Sequence, residues 1–379
     1  MVKLFFISYG GGHAKMLIPV IKSLPKDIDY TYLALNTAIN DATQEGIRFN
    51  TLLDYKNLFS DERIELYGER LLIENHSKGL NISKELSKFS LGLNYLDLVL
   101  THGEEFAEKM YQLKNRQAFL PIHAIRKILK KEMPDLIITT NSPKFEKAAH
   151  IVANELNIKS VLMLDLFGYR QNFDPSIKLF FVLCEIAKIN TLFYGVDSEK
   201  IKITGNPAFD TLTNFKQIEK KNKILVAFQN DKNKPAFINI VEKLIIDLKN
   251  FQFFLRAHPN DTSGDELILA DKYPNAVISN EKLIGKECAD SKVMLSIDST
   301  SFLDAISMNC TPISYDLGII NEFIDTKTCL FSDNYEGFKA LVLNAVNDYS
   351  DDFTNKLKEI LYLDGNSTDR VISTIIKNI

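Results

Sequence analysis

The stretch Val2–Leu35, VKLFFISYGGGHAKMLIPVIKSLPKDIDYTYLAL, decides the fold class. An apolar run within Val2–Ser8 stops at three glycines, a helical pattern follows over His13–Leu24, and a second apolar run occupies Tyr30–Leu35. Apolar runs without polar alternation suit strands buried on both faces, and the order strand–helix–strand predicts a parallel sheet. Working outward, the same alternation predicts strands at Asp135–Asn141, Lys159–Leu164, Lys178–Cys184 and Ile201–Thr204. Helices are expected over Pro143–Leu156 and Glu185–Phe193. Residues 61–131 mix charged and apolar side chains at helical spacing, which predicts a helical insertion into the first α/β unit.

The second half repeats the pattern. Strands are expected at Ile224–Gln229, Phe251–Arg256, Ala276–Ser279, Val293–Ile297, Pro312–Tyr315 and near Cys329–Phe331. The intervening helices are expected over Ala236–Lys249, up to about Asp290, over Ser301–Met308 and over Tyr335–Asp348. The lysine-rich segment Phe215–Lys223 (FKQIEKKNK) reads as a solvated connection. The expected architecture is α/β: two facing, Rossmann-like, doubly wound domains, residues 1–214 and 222–365, with a ligand cleft between them. A length of 379 residues agrees with two or three domains.

Composition narrows the function. Lys plus Arg total 45 against 49 Asp plus Glu, a net charge of −4, so the basic excess of a dedicated nucleic-acid binder is missing. Cys184, Cys288, Cys310 and Cys329 form no CxxC pair and read as reduced, buried thiols. The first apolar run is too short for a signal peptide, and eighteen apolar residues never run together. A cytoplasmic protein is expected, peripheral to the inner face of a membrane at most. No metal-ligand spacing is present, so neither a metal nor another cofactor is expected.

Four motifs fall at strand carboxyl ends, where α/β sheets bind ligands. In Tyr9–Ala14 (YGGGHA), Gly11 and Gly12 allow close backbone approach, and His13 is a candidate general base. This is not the GxGxxG dinucleotide fingerprint, because Lys15 stands where its third glycine belongs. Gly205-Asn206-Pro207 makes a turn at the end of the first half. Arg256-Ala257-His258-Pro259-Asn260 places two cationic side-chain types at a strand tip, suited to phosphate. Asp298-Ser299-Thr300-Ser301 supplies three hydroxyls at a helix start, more than capping requires, with Asp304 one turn on. Gln229 ends a strand on the same side, and Asp165, also at a strand end, is a second candidate base.

Together with the two-unit plan, GGGHA (Gly10–Ala14), ITGNPAFD (Ile203–Asp210), RAHPND (Arg256–Asp261), IDSTSFLDAISMNCTPISYD (Ile297–Asp316) and YLDGNSTDRV (Tyr362–Val371) resemble nucleotide-sugar glycosyltransferases of the GT-B fold. The resemblance implies a first half that binds a glycan or lipid-linked acceptor and a second half that binds the nucleotide. It also implies a final helix, within residues 366–379, that packs back on the first half. His13 then matches a glycine-loop base, and His258 with Pro259 resembles the His-Pro motif of bacterial sialyltransferases, where the histidine contacts donor phosphate. Ser299, Thr300 and Ser301 are similar to the paired-hydroxyl motif of those enzymes, and Asp304 stands where many relatives carry a ribose-binding glutamate. The activity so implied is metal-independent, inverting transfer from a CMP- or UDP-activated sugar to a surface polysaccharide or glycoconjugate. The two glutamates separated by seven residues that mark retaining relatives are absent, Ser296 standing at the earlier position.

Alternatives within the fold are a CDP-glycerol-type phosphotransferase, a UDP-sugar hydrolase and a UDP-N-acetylglucosamine 2-epimerase. The last shares the HPN element, while DSTSFLD replacing its Ser-Gly-Gly and paired glutamates weighs against it. A non-catalytic sugar-nucleotide-binding component is the alternative from another class.

Overall fold

The computed structural model describes residues 2–75, 82–169, 173–174, 176–215, 218–259 and 261–379. The chain parts into two compact units, Met1–Ala208 with Asn366–Ile379, and Phe209–Gly365. The parting thus falls ahead of the expected Asn214.

In unit one, β1 (Val2–Ser8), β2 (Ile28–Ala34), β3 (Leu136–Thr140), β4 (Lys159–Met163), β5 (Leu179–Val182) and β6 (Ile201–Ile203) form one sheet. Its order is β2-β1-β3-β4-β5-β6, and all neighbours are parallel. Successive side chains of a strand point to opposite faces. Phe5 and Ile7 of β1 therefore pack with Leu96, Ile125 and Phe145, while Leu4 and Phe6 pack with Leu17, Val20, Val371 and Ile375. Val371 and Ile375 come from the final helix, Ser367–Ile376, which also donates from Arg370 Nε to the Thr204 carbonyl at 2.8 Å.

The helical insertion comprises helices Arg63–Asn75, Lys84–His102 and Glu104–Lys114. The first two approach closely because Gly92 faces Ile64: an added Cβ would lie 1.9 Å from the Ile64 carbonyl oxygen. Buried Asp97 accepts the His123 and Ala124 N–H groups at 3.1 and 2.7 Å, fastening the amino terminus of helix Ile122–Glu132.

In unit two, β7 (Lys221–Ala227), β8 (Gln252–Arg256), β9 (Ala276–Ile278), β10 (Ser291–Ser296), β11 (Thr311–Tyr315) and β12 (Leu330–Ser332) form a second parallel sheet. Its order is β12-β11-β10-β7-β8-β9. One face packs Val226, Leu255 and Leu295 on Val241, Leu244 and Phe338. Leu225 and Met294, alternating with these, are fully buried on the other face.

The structure corrects the reading of Phe215–Lys223 as a solvated connection. Residues 216–217 lie outside those described, and Lys221–Lys223 belong to β7. The Lys220 amine donates to the carbonyls of Cys288, Ser291 and Met308 at 2.7, 3.1 and 2.6 Å. Lys223 is 7% exposed and pairs with Asp290 at 3.0 Å. These lysines neutralise carbonyl and carboxylate groups at the amino-terminal edge of the sheet. Helix Asp265–Lys272 has no counterpart among the expected elements, since its Leu267 and Ile268 are exposed and blur the helical period. No described helix is long and apolar enough to cross a membrane.

Candidate functional site

Each sheet reverses its strand order once, between β1 and β3 in unit one and between β7 and β10 in unit two. Loops leaving two such strands diverge to opposite faces and open a crevice at their carboxyl ends.

In unit one, β1 runs through Gly10–Gly12 into helix Gly12–Lys22. Gly10 has φ +126°, and an added Cβ would lie 2.1 Å from Thr37 Oγ1, so only glycine fits against the chain there. Gly11 and Gly12 are exposed, with nothing within 4 Å of either Cβ position, so the space above them is open. His13, half-buried in the first helical turn, reaches across the reversal point to β3: its Nδ1 lies 2.8 Å from Thr140 Oγ1.

Thr140 in turn donates to Glu146 Oε2 at 2.6 Å, and the same oxygen accepts the Ser142 N–H at 3.1 Å. A hydroxyl has one proton to give. With that proton committed to Glu146, Nδ1 of His13 must carry a hydrogen and donate it to Thr140. Nε2 is then left as a proton acceptor. Glu146 is fully buried with Oε1 unpartnered, and burial first of all pushes its carboxyl above the usual range, against a lowering contribution from His13. This assignment is that of the charged carboxylate, whose Oε2 can only accept from Thr140.

Asp165, at the tip of β4, accepts from Asn141 Nδ2 at 3.0 Å. Asn141 follows Thr140, so His13 and Asp165 flank the β3 tip, one strand spacing to each side, on the order of 10 Å apart in all. The second candidate base thus stands on the same edge as the first.

The Gly205-Asn206 turn does different work from that expected. Asn206 is 3% exposed, with its Nδ2 on the Asp165 carbonyl at 3.1 Å and its Oδ1 accepting the Ala208 N–H at 2.9 Å. Both ends of the amide are consumed in holding the Asp165 loop, and Gly205 is buried beside it.

In unit two, β7 leads to Gln229, β8 to Arg256 and His258, and β10 to Asp298–Ser301. β7 separates the other two strands, so the His258 and Ser299–Ser301 loops stand on the order of 10 Å apart, a span matching a nucleoside phosphate. Ser299 Oγ accepts the Ser301 N–H at 3.3 Å, and Ser301, the residue at the cap position, makes no side-chain capping bond. The described structure records no hydrogen bond to the Thr300 or Ser301 hydroxyl, so both remain available to a ligand. Burial, and secondarily Asp231, raise the Asp298 carboxyl above its ordinary range, so it can hold a proton beside a phosphate more readily than an exposed aspartate.

His258 precedes Pro259 just beyond β8, and its carbonyl accepts the Asp261 N–H at 2.8 Å; Asn260 lies outside the described residues. Behind this loop, Lys234 is 5% exposed and donates to Asp261, to Ser263 Oγ at 2.6 Å and to Glu266 at 3.2 Å. That network braces the segment after His258. Lys234 also draws the Asp261 carboxyl down to about 2.

Arg256, expected at a phosphate, is engaged by protein groups. Its guanidinium binds buried Glu287 at 3.0 Å, Ser279 Oγ at 3.3 Å and the carbonyls of Glu281 and Lys282. It anchors the loop beyond β9. Asp304 points its Oδ1 toward helix Ile284–Asp290, 3.8 Å from where a Cβ on Gly285 would lie. Thr140 and Glu146 were missed in the sequence, because a glutamate in a first helical turn reads as a charge favouring the helix amino terminus. A cavity of about 200 Å³ in unit one, lined among others by Tyr9, Asn94, Arg116 and Lys144, was not legible in the sequence either.

No protein-family model matches the chain. It is 25% identical over 231 residues to the UDP-N-acetylglucosamine 2-epimerase of Methanocaldococcus jannaschii, covering 53% of this chain and 56% of that protein. The match thus spans about half the length of this curated relative. The crystal structure of the Neisseria meningitidis UDP-GlcNAc 2-epimerase bound to UDP-GlcNAc is similar with a TM-score of 0.66 at 16% identity, over 99% of this chain and 100% of that one. The calicheamicin glycosyltransferase is similar with a TM-score of 0.60 at 11% identity, over 100% and 98%. The two parallel sheets with their flanking helices are the GT-B fold of these structures.

Proposed function

We propose that this chain is an enzyme acting on a UDP-activated sugar, with UDP-N-acetylglucosamine 2-epimerisation as its first reading. The observation that carries the catalytic part is the His13–Thr140–Glu146 chain, which leaves His13 Nε2 as a proton acceptor at a sheet-reversal point. Inverting carbon 2 of a sugar requires one group to take a proton and another to return it. His13 and Asp165 are the titratable pair assigned to this. The likeness to 2-epimerases in sequence and fold supports this reading over the sugar transfer favoured by the motifs alone.

The nucleotide is assigned to unit two. His258, the hydroxyls of Ser299, Thr300 and Ser301, and the Asp298 carboxyl would contact phosphate, with Gln229 on the strand between. Pro259 and Arg256 hold the loops rather than the ligand. Fixed donors of this kind stabilise charge on a departing phosphate because they need no rearrangement as it develops. Sugar transfer is the second reading, favoured by the cavity beside Tyr9, since a transferase needs room for a second substrate. In that case His13 would take the acceptor hydroxyl proton.

Titration calorimetry with UDP tests the nucleotide assignment. His258→Ala removes a hydrogen bond to a charged group, worth about 1.5–3 kcal/mol, and should weaken UDP roughly ten- to a hundredfold. Unchanged UDP affinity in that variant removes His258 from the site. Incubation with UDP-GlcNAc then separates an epimer, free sugar and acceptor-dependent UDP release. Binding without any product would leave a non-catalytic component.

A further inference from the structure

In unit two, one buried amine joins two of the loops assigned to the nucleotide. Lys234 is the first residue of helix Lys234–Asp247 and closes the loop that leaves β7. That loop is itself tied, since Asp231 accepts the Asn233 N–H on Oδ1 at 2.8 Å and the Lys234 N–H on its carbonyl at 3.2 Å. The Lys234 side chain crosses to the loop that leaves β8, where it donates to Asp261 Oδ2 and to Ser263 Oγ. The Lys234 and Asp261 side chains are both out of water, 5% and 3% exposed.

Asp261 is the residue through which this anchoring reaches His258. Its Oδ1 accepts the Ser263 N–H at 2.9 Å, its Oδ2 takes the Lys234 amine, and its own N–H donates to the His258 carbonyl at 2.8 Å. Pro259 follows His258 with a fixed φ, so few backbone torsions separate the anchored carboxylate from the imidazole. Glu266 and Asp265 reach the same amine at 3.2 and 3.1 Å, but they sit on helix Asp265–Lys272, outside the stretch that the Asp261–His258 bond closes. One amine thus meets three carboxylates, more than charge pairing calls for, and one of the three is wired to His258.

Charge and position pull in opposite directions at Asp261. A carboxylate three residues from a phosphate contact repels the phosphate, so a bystander charge here would weaken nucleotide binding. An anchor would strengthen it. We infer that Asp261, held by Lys234, is a positioning residue for nucleotide binding, fixing the loop that presents the His258 imidazole to phosphate. That role rests on the assignment of His258 to the phosphate.

Titration calorimetry with UDP on the full chain separates anchor from bystander. Asp261→Ala should weaken UDP about fivefold or more. Glu266→Ala, which takes one carboxylate from the same amine, should lower the melting temperature and leave UDP affinity unchanged. Lys234 keeps two carboxylate partners in either variant, so neither strands a buried charge. Asp261→Asn, which can still accept from Lys234 and from the Ser263 N–H, should recover part of the affinity. In a His258→Ala background, Asp261→Ala should cost nothing further, because the anchor then has no imidazole to hold. Asp261→Ser, too short to reach Lys234 yet able to accept the Ser263 N–H, gives the same readout if the alanine variant melts below the assay temperature. UDP bound as tightly or more tightly by Asp261→Ala, an equal loss in Glu266→Ala, no recovery with Asp261→Asn, or a full further loss in the His258→Ala background would overturn the inference. His258→Ala alone with unchanged UDP affinity, or an unaltered chain that does not bind UDP, would instead remove the nucleotide reading, and the positioning role with it.

Discussion

In the proposed role, His13 acts as a base only with Nε2 free of its proton, and Thr140 holds that tautomer. Thr140→Val removes both the acceptor for Nδ1–H and the donor to Glu146, so kcat should fall by at least about tenfold with KM little changed. Thr140→Ser, which keeps the hydroxyl, should restore it, whereas a purely packing role would be rescued by valine instead. His13→Ala should lower turnover roughly a hundred- to ten-thousandfold while leaving UDP affinity intact. His150, on the helix Phe145–Glu155 that carries Glu146, sits 3% exposed with Nε2 2.6 Å from Thr139 Oγ1, and burial holds it down to about 4 from 6.5. Between those values the unfolded chain takes up a proton that the folded one refuses. Stability is therefore full above pH 6.5 and falls as the pH drops toward 4, by on the order of 3 kcal/mol. Chemical denaturation across that window should show the loss, and His150→Gln should flatten it.

Among the elements, the β1–helix junction carries the tightest demand. Gly10→Ala would force a Cβ into Thr37 at a backbone angle that L-residues rarely adopt, so a destabilisation of about 1–3 kcal/mol is expected in thermal melts. The strands were legible because parallel strands buried on both faces leave uninterrupted apolar runs such as Leu4–Ile7. The motif loops were legible because glycine and proline punctuate strand ends. Side-chain networks were not. Nothing in TTNSPKFE says that Thr140 and Glu146 close back on His13, since the bond joins residues 127 positions apart in sequence. The lysines at 220–223 were misread for a related reason: hydrophilicity reports a charge but not the three backbone carbonyls that receive it.

At the scale of the molecule, the two units repeat one device, a parallel sheet whose order reverses once, and the residues with chemistry gather at that reversal in each. Arg256 and Asn206 show how motif residues can serve that device by tying down the neighbouring loops. UDP should accordingly slow amide hydrogen exchange in the loops after β7, β8 and β10, and leave the Asn206 turn unchanged. The most direct measurement is ³¹P and ¹H NMR of UDP-GlcNAc incubated with the unaltered chain and with His13→Ala. The account predicts a changed sugar or released UDP with the first and little or none with the second, both variants still binding UDP. Equal conversion by the two proteins, or an unaltered chain that neither binds UDP nor changes UDP-GlcNAc, would contradict it.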